Sequence, residues 1–195
     1  MVSAVLTSEW TSAALALHAV VESSDANGPG HRAVVWVQGC TLACPGCFNP
    51  ETHSHGGELV DPVLLARRLI QLHGIEGLTI SGGEPLQQIK PLTALLREIH
   101  ARSGLSVVVF TGYRWEQLQR LPSVRLLLDC VDVLIAGPFD HSQRVAAGLI
   151  GSANKKIVFL TDRYRPADFR DIPQSEVLVT PDGDVIVTGV WPLHL

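Results

Sequence analysis

The stretch RAVVWVQGCTLACPGCFNP, Arg32 to Pro50, decides how the rest of the chain is read. Val34 to Val37 form a β-branched and aromatic run, which predicts a strand. The residues that follow place Cys40, Cys44 and Cys47 within eight positions, although the 195-residue chain holds only 4 cysteines. A strand that empties into a Gly/Pro-rich cysteine loop raises the question of what else the chain places at strand ends.

Outward from that stretch the pattern repeats. In DPVLLARRLIQLHG, Asp61 suits a helix N-cap, Pro62 the first helical position and Gly74 the stop. Leu64, Leu65, Leu69 and Leu72 fall near helical spacing. LTISGGEP predicts a strand ending at Gly82 and Gly83, PLTALLREIHARSG a helix ending at Gly104, and LSVVVFTGY a strand. RWEQLQRLPSVRLLLD predicts two helical pieces around Pro122, and VDVLIAGPFD and KKIVFLTD two further strands. The chain closes on a hairpin over residues 177–190, with a turn at Pro181, Asp182 and Gly183. Residues 1–26 are an N-terminal extension in which Ala14 to Val21 reads as an edge strand, with a short helix as the competing assignment. The alternation predicts one α/β domain over residues 1–195, with about five to six mostly parallel strands arranged as a partial (β/α) barrel or an open sheet. Five candidate loops follow successive strands: the cysteine loop, Gly82 to Pro85, Thr111 to Tyr113, Gly137 to Phe139, and Thr161 with Asp162. In parallel α/β folds such loops emerge on one face, where sites are built.

Composition excludes several function classes. Hydrophobic residues make up 46% and charged residues 17%, a globular balance with enough core for one domain. The net charge of −4 and the lack of a basic block give no footprint for nucleic acid. No apolar run approaches the ~18 residues of a membrane span. The apolar N-terminus has no Lys or Arg before Arg32 and contains Glu9, so it is read as uncleaved and the protein as cytoplasmic. Three cysteines crowded in one loop fit a metal site in a reducing compartment better than disulfides.

Three thiolates are one short of a structural zinc or an electron-carrier cubane. The missing ligand comes from elsewhere in the chain, or one metal corner stays open for a substrate or cofactor. His53 or His55 would complete a Cys3His zinc site. Cys130 is a weaker fourth ligand, because a lone cysteine before a buried strand usually packs as a small hydrophobe.

The spacing C-x3-C-x2-C followed by Phe48, with Gly82-Gly83-Glu84 downstream, resembles the radical S-adenosylmethionine (SAM) superfamily. NGPGHRAVVWVQGC, CPGCFNPETH, SGGEPL, VVVFTGY, DVLIAGPF and GSANKK resemble, in order, the activating proteins of anaerobic ribonucleotide reductase, among the glycyl-radical-enzyme activases. The resemblance implies that Cys40, Cys44 and Cys47 hold a [4Fe-4S] cluster whose fourth iron is chelated by SAM. It implies SAM contacts at Gly46, Cys47, Phe48, Gly82, Gly83, Glu84 and Pro85. It implies reductive cleavage of SAM to a 5′-deoxyadenosyl radical, a glycyl radical enzyme as partner, and reduced flavodoxin or ferredoxin as electron donor. Two departures stand out: Ala136 precedes the Gly-Pro-Phe where Asp is frequent, and Lys155 occupies the usual Gln position of GSxNQ. The alternatives are a radical SAM enzyme acting on a small metabolite, and a non-catalytic zinc or iron–sulfur module.

Other features weigh against or beside that reading. Gly28 to Ala33 fits a G-x-G-x-x-A dinucleotide pattern but precedes a strand instead of opening a helix. Arg32 is read either as steering an anionic group or as solvated, and Trp36 as core. Tyr113, Arg114, Asn49 and Asn154 are candidate site polar groups, and His53 and His55 more a polar loop than ligands. Glu84 is a carboxylate able to pair with an ammonium.

Overall fold

The computed structural model describes residues 13–179 and 182–190. The strands are β1 (Leu15–Ser24), β2 (Arg32–Val37), β3 (Glu58–Val60), β4 (Gly77–Gly82), β5 (Ser106–Thr111), β6 (Val133–Ala136), β7 (Arg144–Ala147), β8 (Ile150–Ser152), β9 (Lys156–Phe159), β10 (Ser175–Val179) and β11 (Val185–Gly189). The helices are α1 (Pro62–Ile70), α2 (Ile89–Arg102), α3 (Trp115–Leu118) and α4 (Pro122–Leu128). A seven-stranded sheet runs in the order β3-β1-β2-β4-β5-β6-β9, and β7-β8 and β10-β11 form separate hairpins.

The central strands β2, β4, β5 and β6 are parallel, as the strand–helix alternation predicts. Their side chains alternate between the two faces. Ala33, Val35, Val37, Leu78, Ile80, Val107, Val109 and Leu134 pack in the larger core cluster with Leu65, Leu69, Leu92, Leu95, Leu96 and Ile99 of α1 and α2. On the other face, Val108, Val133 and Ile135 meet Leu149, Phe169 and Ile172. The Asp61 carboxylate caps α1 by accepting from Val63 N at 2.8 Å and Leu64 N at 3.0 Å. α1 stops at Ile70 rather than at Gly74, and Leu64 lies on its exposed side.

The sheet is open: its strands follow one linear order, and no register among the described residues pairs β3 with β9, so the pairings make no closed barrel. Three expectations are corrected. β1 is a strand, not a helix, and it is not an edge, because β3 pairs along its outer side. β9 runs antiparallel to β6, since the chain returns through the β7-β8 hairpin instead of a crossover helix. The end of β9 therefore lies at the amino end of the parallel strands, away from the other loops. There Thr161 donates to the Asp132 carboxylate at 2.7 Å, so Thr161 and Asp162 leave the group of converging loops. The C-terminal hairpin is present as β10 paired with β11; Pro181 of its expected turn lies outside the described residues. No helix among the described residues is long and apolar enough to cross a membrane.

Arg32 is neither solvated nor near the cysteines. It opens β2 at the amino end of the parallel strands, with 0% of its surface exposed. Its guanidinium donates to Thr79 Oγ1, Pro29 O, Ser106 Oγ, Tyr164 Oη, Leu78 O and Ser106 O, at 2.6 to 3.2 Å. Six acceptors around a planar fork replace the water that burial removes.

Candidate metal and cofactor site

At the carboxyl end of β2 the chain turns through Gly39 (φ 99°), Ala43 (φ 46°) and Gly46 (φ 70°). Left-handed backbone is open to glycine and costly for alanine. The loop is held at its base by Gly39 N donating to Thr52 O at 2.8 Å and Cys40 N donating to His53 O at 3.2 Å. Inside it, Cys47 N donates to Cys44 O at 3.1 Å. Gln38, almost buried, braces the far strand of the loop by donating to Glu51 O and Ser54 O at 3.1 and 2.8 Å.

The glycine turn after β4 is stitched to this loop. Gly83 N donates to Val37 O at 2.8 Å and Glu84 N to Gly39 O at 2.9 Å. A Cβ on Gly83 would lie 2.3 Å from Gly39 O, so only glycine permits the approach. Two glutamines in the short 3-10 turn Pro85–Gln88 complete the junction. Gln87 accepts from Thr41 N at 3.2 Å and donates to Thr41 Oγ1 at 2.7 Å. Gln88 bridges β1 and β2 by donating to Ala16 O and Gln38 O at 3.1 and 3.0 Å.

These loops open onto a cavity of about 450 Å³ on the sheet face away from α1 and α2. Cys40, Cys44, Cys47, Phe48, Gly82, Gly83 and Glu84 all line it, together with Asn49, His53, Thr111, Gly112 and Phe139. Of the residues implied to touch SAM, Gly46 and Pro85 are not in the lining. Gly46 packs beneath His141, whose ring a Cβ there would meet at 2.9 Å, and Pro85 is buried at the start of its turn. Tyr113, Arg114, Asn154 and His55 are not in the lining either; Asn154 instead donates to Pro138 O at 2.8 Å. Trp36, expected in the core, is half-buried and walls the cavity. The Phe48 ring is clamped: Phe139 lies 4.6 Å away centroid to centroid, the Arg144 guanidinium sits 5.4 Å above it, and Gly151 leaves room for its edge.

Electrostatics distinguish the acidic groups. Glu84 is 1% exposed, and its carboxylate accepts from Leu86 N (2.9 Å), Thr111 Oγ1 (2.8 Å) and Gly112 N (2.7 Å). Burial pushes its carboxyl above the usual glutamate range, and the Gly112, Leu86 and Thr111 bonds pull it back. Three local donors occupy most of this carboxylate, so its first duty is to join the glycine turn to the β5 loop. Burial likewise raises the Cys47 thiol, against a backbone bond from Asn49.

All four cysteines are free. Among the described residues, no three His, Cys, Asp or Glu side chains are grouped as ligands for one metal ion. Three thiols line one cavity, and a polynuclear cluster takes each thiolate on a different iron.

Residues 26–158 match the family model described as a 4Fe-4S single cluster domain. The chain is 34% identical over 141 residues to the anaerobic ribonucleoside-triphosphate reductase-activating protein of Salmonella typhimurium, covering 68% of this chain and 90% of that one. It is 36% identical to the protein of the same name from Haemophilus influenzae, covering 67% and 89%, and 32% identical to that of Enterobacteria phage T4, covering 70% and 88%. The chain belongs to this family of activating proteins.

Membership of the 4Fe-4S activating-protein family decides between cluster and zinc in favour of the cluster. Cys40, Cys44 and Cys47 line the cavity. The family match ends before β10 and β11, yet Ile186 to Val190 wall the same cavity. Sequence reading missed Gln87 and Gln88, whose amides look like any exposed pair, and it noted Lys155 only as a departure from a pattern. A glutamine pair directly after a glycine turn was the one available signal.

Proposed function

We propose that the chain is a radical SAM enzyme that installs a glycyl radical on an anaerobic ribonucleotide reductase. One observation carries the reading: the three-cysteine loop and the Gly82-Gly83-Glu84 turn are bonded to each other and line one cavity, in a member of the activating-protein family. Cys40, Cys44 and Cys47 hold the [4Fe-4S] cluster. A cluster held there would supply the one-electron reduction by which SAM is cleaved.

The chain's own residues bind, orient and exclude water. The Gly82-Gly83 turn is bonded to the cysteine loop, and its residues would hold the amino-acid end of SAM; Glu84 fixes the turn by accepting from Gly112 N. Phe48, pinned by Phe139 and Arg144, offers a rigid apolar wall beside the third cysteine. Trp36, Phe110 and Leu149 extend that wall over the cavity, which limits water at a reactive centre. The hydrogen donor is a backbone glycine of the partner reductase, and the electron donor is reduced flavodoxin or ferredoxin.

The test is anaerobic incubation of the reconstituted protein with SAM and dithionite, with and without the reductase from the same source. Expected are 5′-deoxyadenosine and methionine by chromatography, and a glycyl doublet by electron paramagnetic resonance when the reductase is present. No 5′-deoxyadenosine from an intact cluster would overturn the radical SAM reading. Nucleoside without a glycyl signal would overturn the partner and point to a small-molecule substrate.

A further inference from the structure

Lys155 lies in the turn between β8 and β9, the segment that returns to the site edge because β9 is antiparallel. Its Nζ donates to Gly137 O at 2.6 Å, which ties the side chain across the loop that follows β6. An ammonium has three N–H bonds, and this is its one hydrogen bond to the protein among the described residues. The side chain lines the cavity beside Cys44, Cys47 and Glu84, and it is the one Lys or Arg in the described lining. Burial lowers its pKa, while Cys44 first, then Glu84 and Cys47, draw it back toward the charged form. The neighbouring Lys156 is exposed and pairs with Glu116 at 3.5 Å instead.

We propose that Lys155 is a tuning residue for the cluster: its ammonium, fixed at Gly137 O and lining the same cavity as the three cysteines, makes the cluster easier to reduce. A one-electron reduction adds negative charge to a site that already carries three thiolates, and a nearby cation stabilises that added charge. Charge and hydrogen bonding at the ligand sulfurs are the levers by which a protein sets such potentials. The inference rests on the cluster held by Cys40, Cys44 and Cys47 and not on SAM cleavage.

The experiment is a dithionite redox titration of the reconstituted protein without SAM, followed by the cluster's electron paramagnetic resonance signal. Lys155→Gln and Lys155→Met, which keeps the stem along the wall, are each expected to disfavour reduction by about tenfold, ~59 mV for one electron. Lys155→Arg is expected to stay within about threefold of the parent, because the charge is retained. Lys156→Gln is expected to leave the potential unchanged. A potential that is unaltered or higher in both neutral variants overturns the proposal, and so does an equal shift in Lys156→Gln. Isothermal titration of the same variants with SAM is the second measurement: weaker SAM binding with an unaltered potential also overturns the proposal, and assigns Lys155 to the cofactor's carboxylate. If the wild-type protein binds no cluster at all, the site reading fails before the Lys155 inference is reached.

Discussion

At the residue scale, two buried ionisable side chains show how environment sets role. Arg32 and Glu84 carry opposite charges, stand near opposite ends of the parallel strands, and are both almost wholly buried. Each is satisfied by neutral donors or acceptors rather than by a partner of opposite charge in direct contact. For Glu84 the consequence is measurable. Its folded-state carboxyl is raised above the ordinary 4.5 by burial, so the folded protein holds that proton more tightly than the unfolded chain. Stability from this group is therefore greatest below the ordinary value and declines as pH rises through the raised one. Glu84→Gln is expected to remove that decline in urea denaturation followed across the acidic range. It is also expected to cost about 1–3 kcal/mol, because an amide cannot accept from Gly112 N on the same atom that now donates. An unchanged pH slope in the variant would show that Glu84 is not the group responsible.

At the scale of elements, the site is a junction between two strand-end loops. Val37 O and Gly39 O accept from Gly83 N and Glu84 N, so the cysteine loop and the glycine turn move as one piece. Gly83→Ala would place a methyl 2.3 Å from Gly39 O and 2.8 Å from Gly39 C, both backbone atoms with no rotamer to change. Such overpacking costs about 1–3 kcal/mol. The expected outcome is a lower melting temperature together with a several-fold loss of iron per chain after anaerobic reconstitution. Gly104→Ala is the control, since nothing lies within 4 Å of a Cβ there. Normal iron content in Gly83→Ala would mean that the cysteine loop is positioned independently of the glycine turn.

At the scale of the whole molecule, the β10-β11 hairpin walls the cavity although, among the described residues, it pairs with no strand of the main sheet. It is tied down by polar contacts from β1 and the loop after it. Ser24 Oγ donates to the Glu176 carboxylate, Asp25 N donates to the same group at 3.0 Å, and Asn27 Nδ2 donates to Thr188 Oγ1 at 2.9 Å. No described residue of β10 or β11 belongs to either buried core cluster, and Val177, Val179 and Val185 are exposed. The hairpin is thus a candidate for opening independently of the core. Glu176→Ala removes two of the bonds and is expected to speed amide hydrogen exchange about tenfold in 175–189, with β2, β4 and β5 unaltered. Equal acceleration throughout the sheet would show that the hairpin opens only with global unfolding.

Much of this was legible along the chain, and the limits of legibility have physical causes. Hydrophobic alternation and helix caps depend on nearest neighbours, so β2, β4, β5, β6, α1 and α2 could be placed from the residues alone. The cysteine spacing and the glycine turn are local chemistry, and they pointed to loops that line one cavity. Strand direction is not local: nothing in KKIVFLTD states that β9 runs antiparallel, because direction follows from how the β7-β8 segment returns the chain. That reversal moved Thr161 and Asp162 away from the site and brought Lys155 into it. The fate of Arg32 was equally unreadable, since a charge is silent in sequence about which carbonyls will surround it. Sequence by itself determined which strand-end loops could hold a cluster and its cofactor. Tertiary structure alone decided which side chains complete the cavity, because burial and pairing partners are set by distant parts of the chain meeting in space.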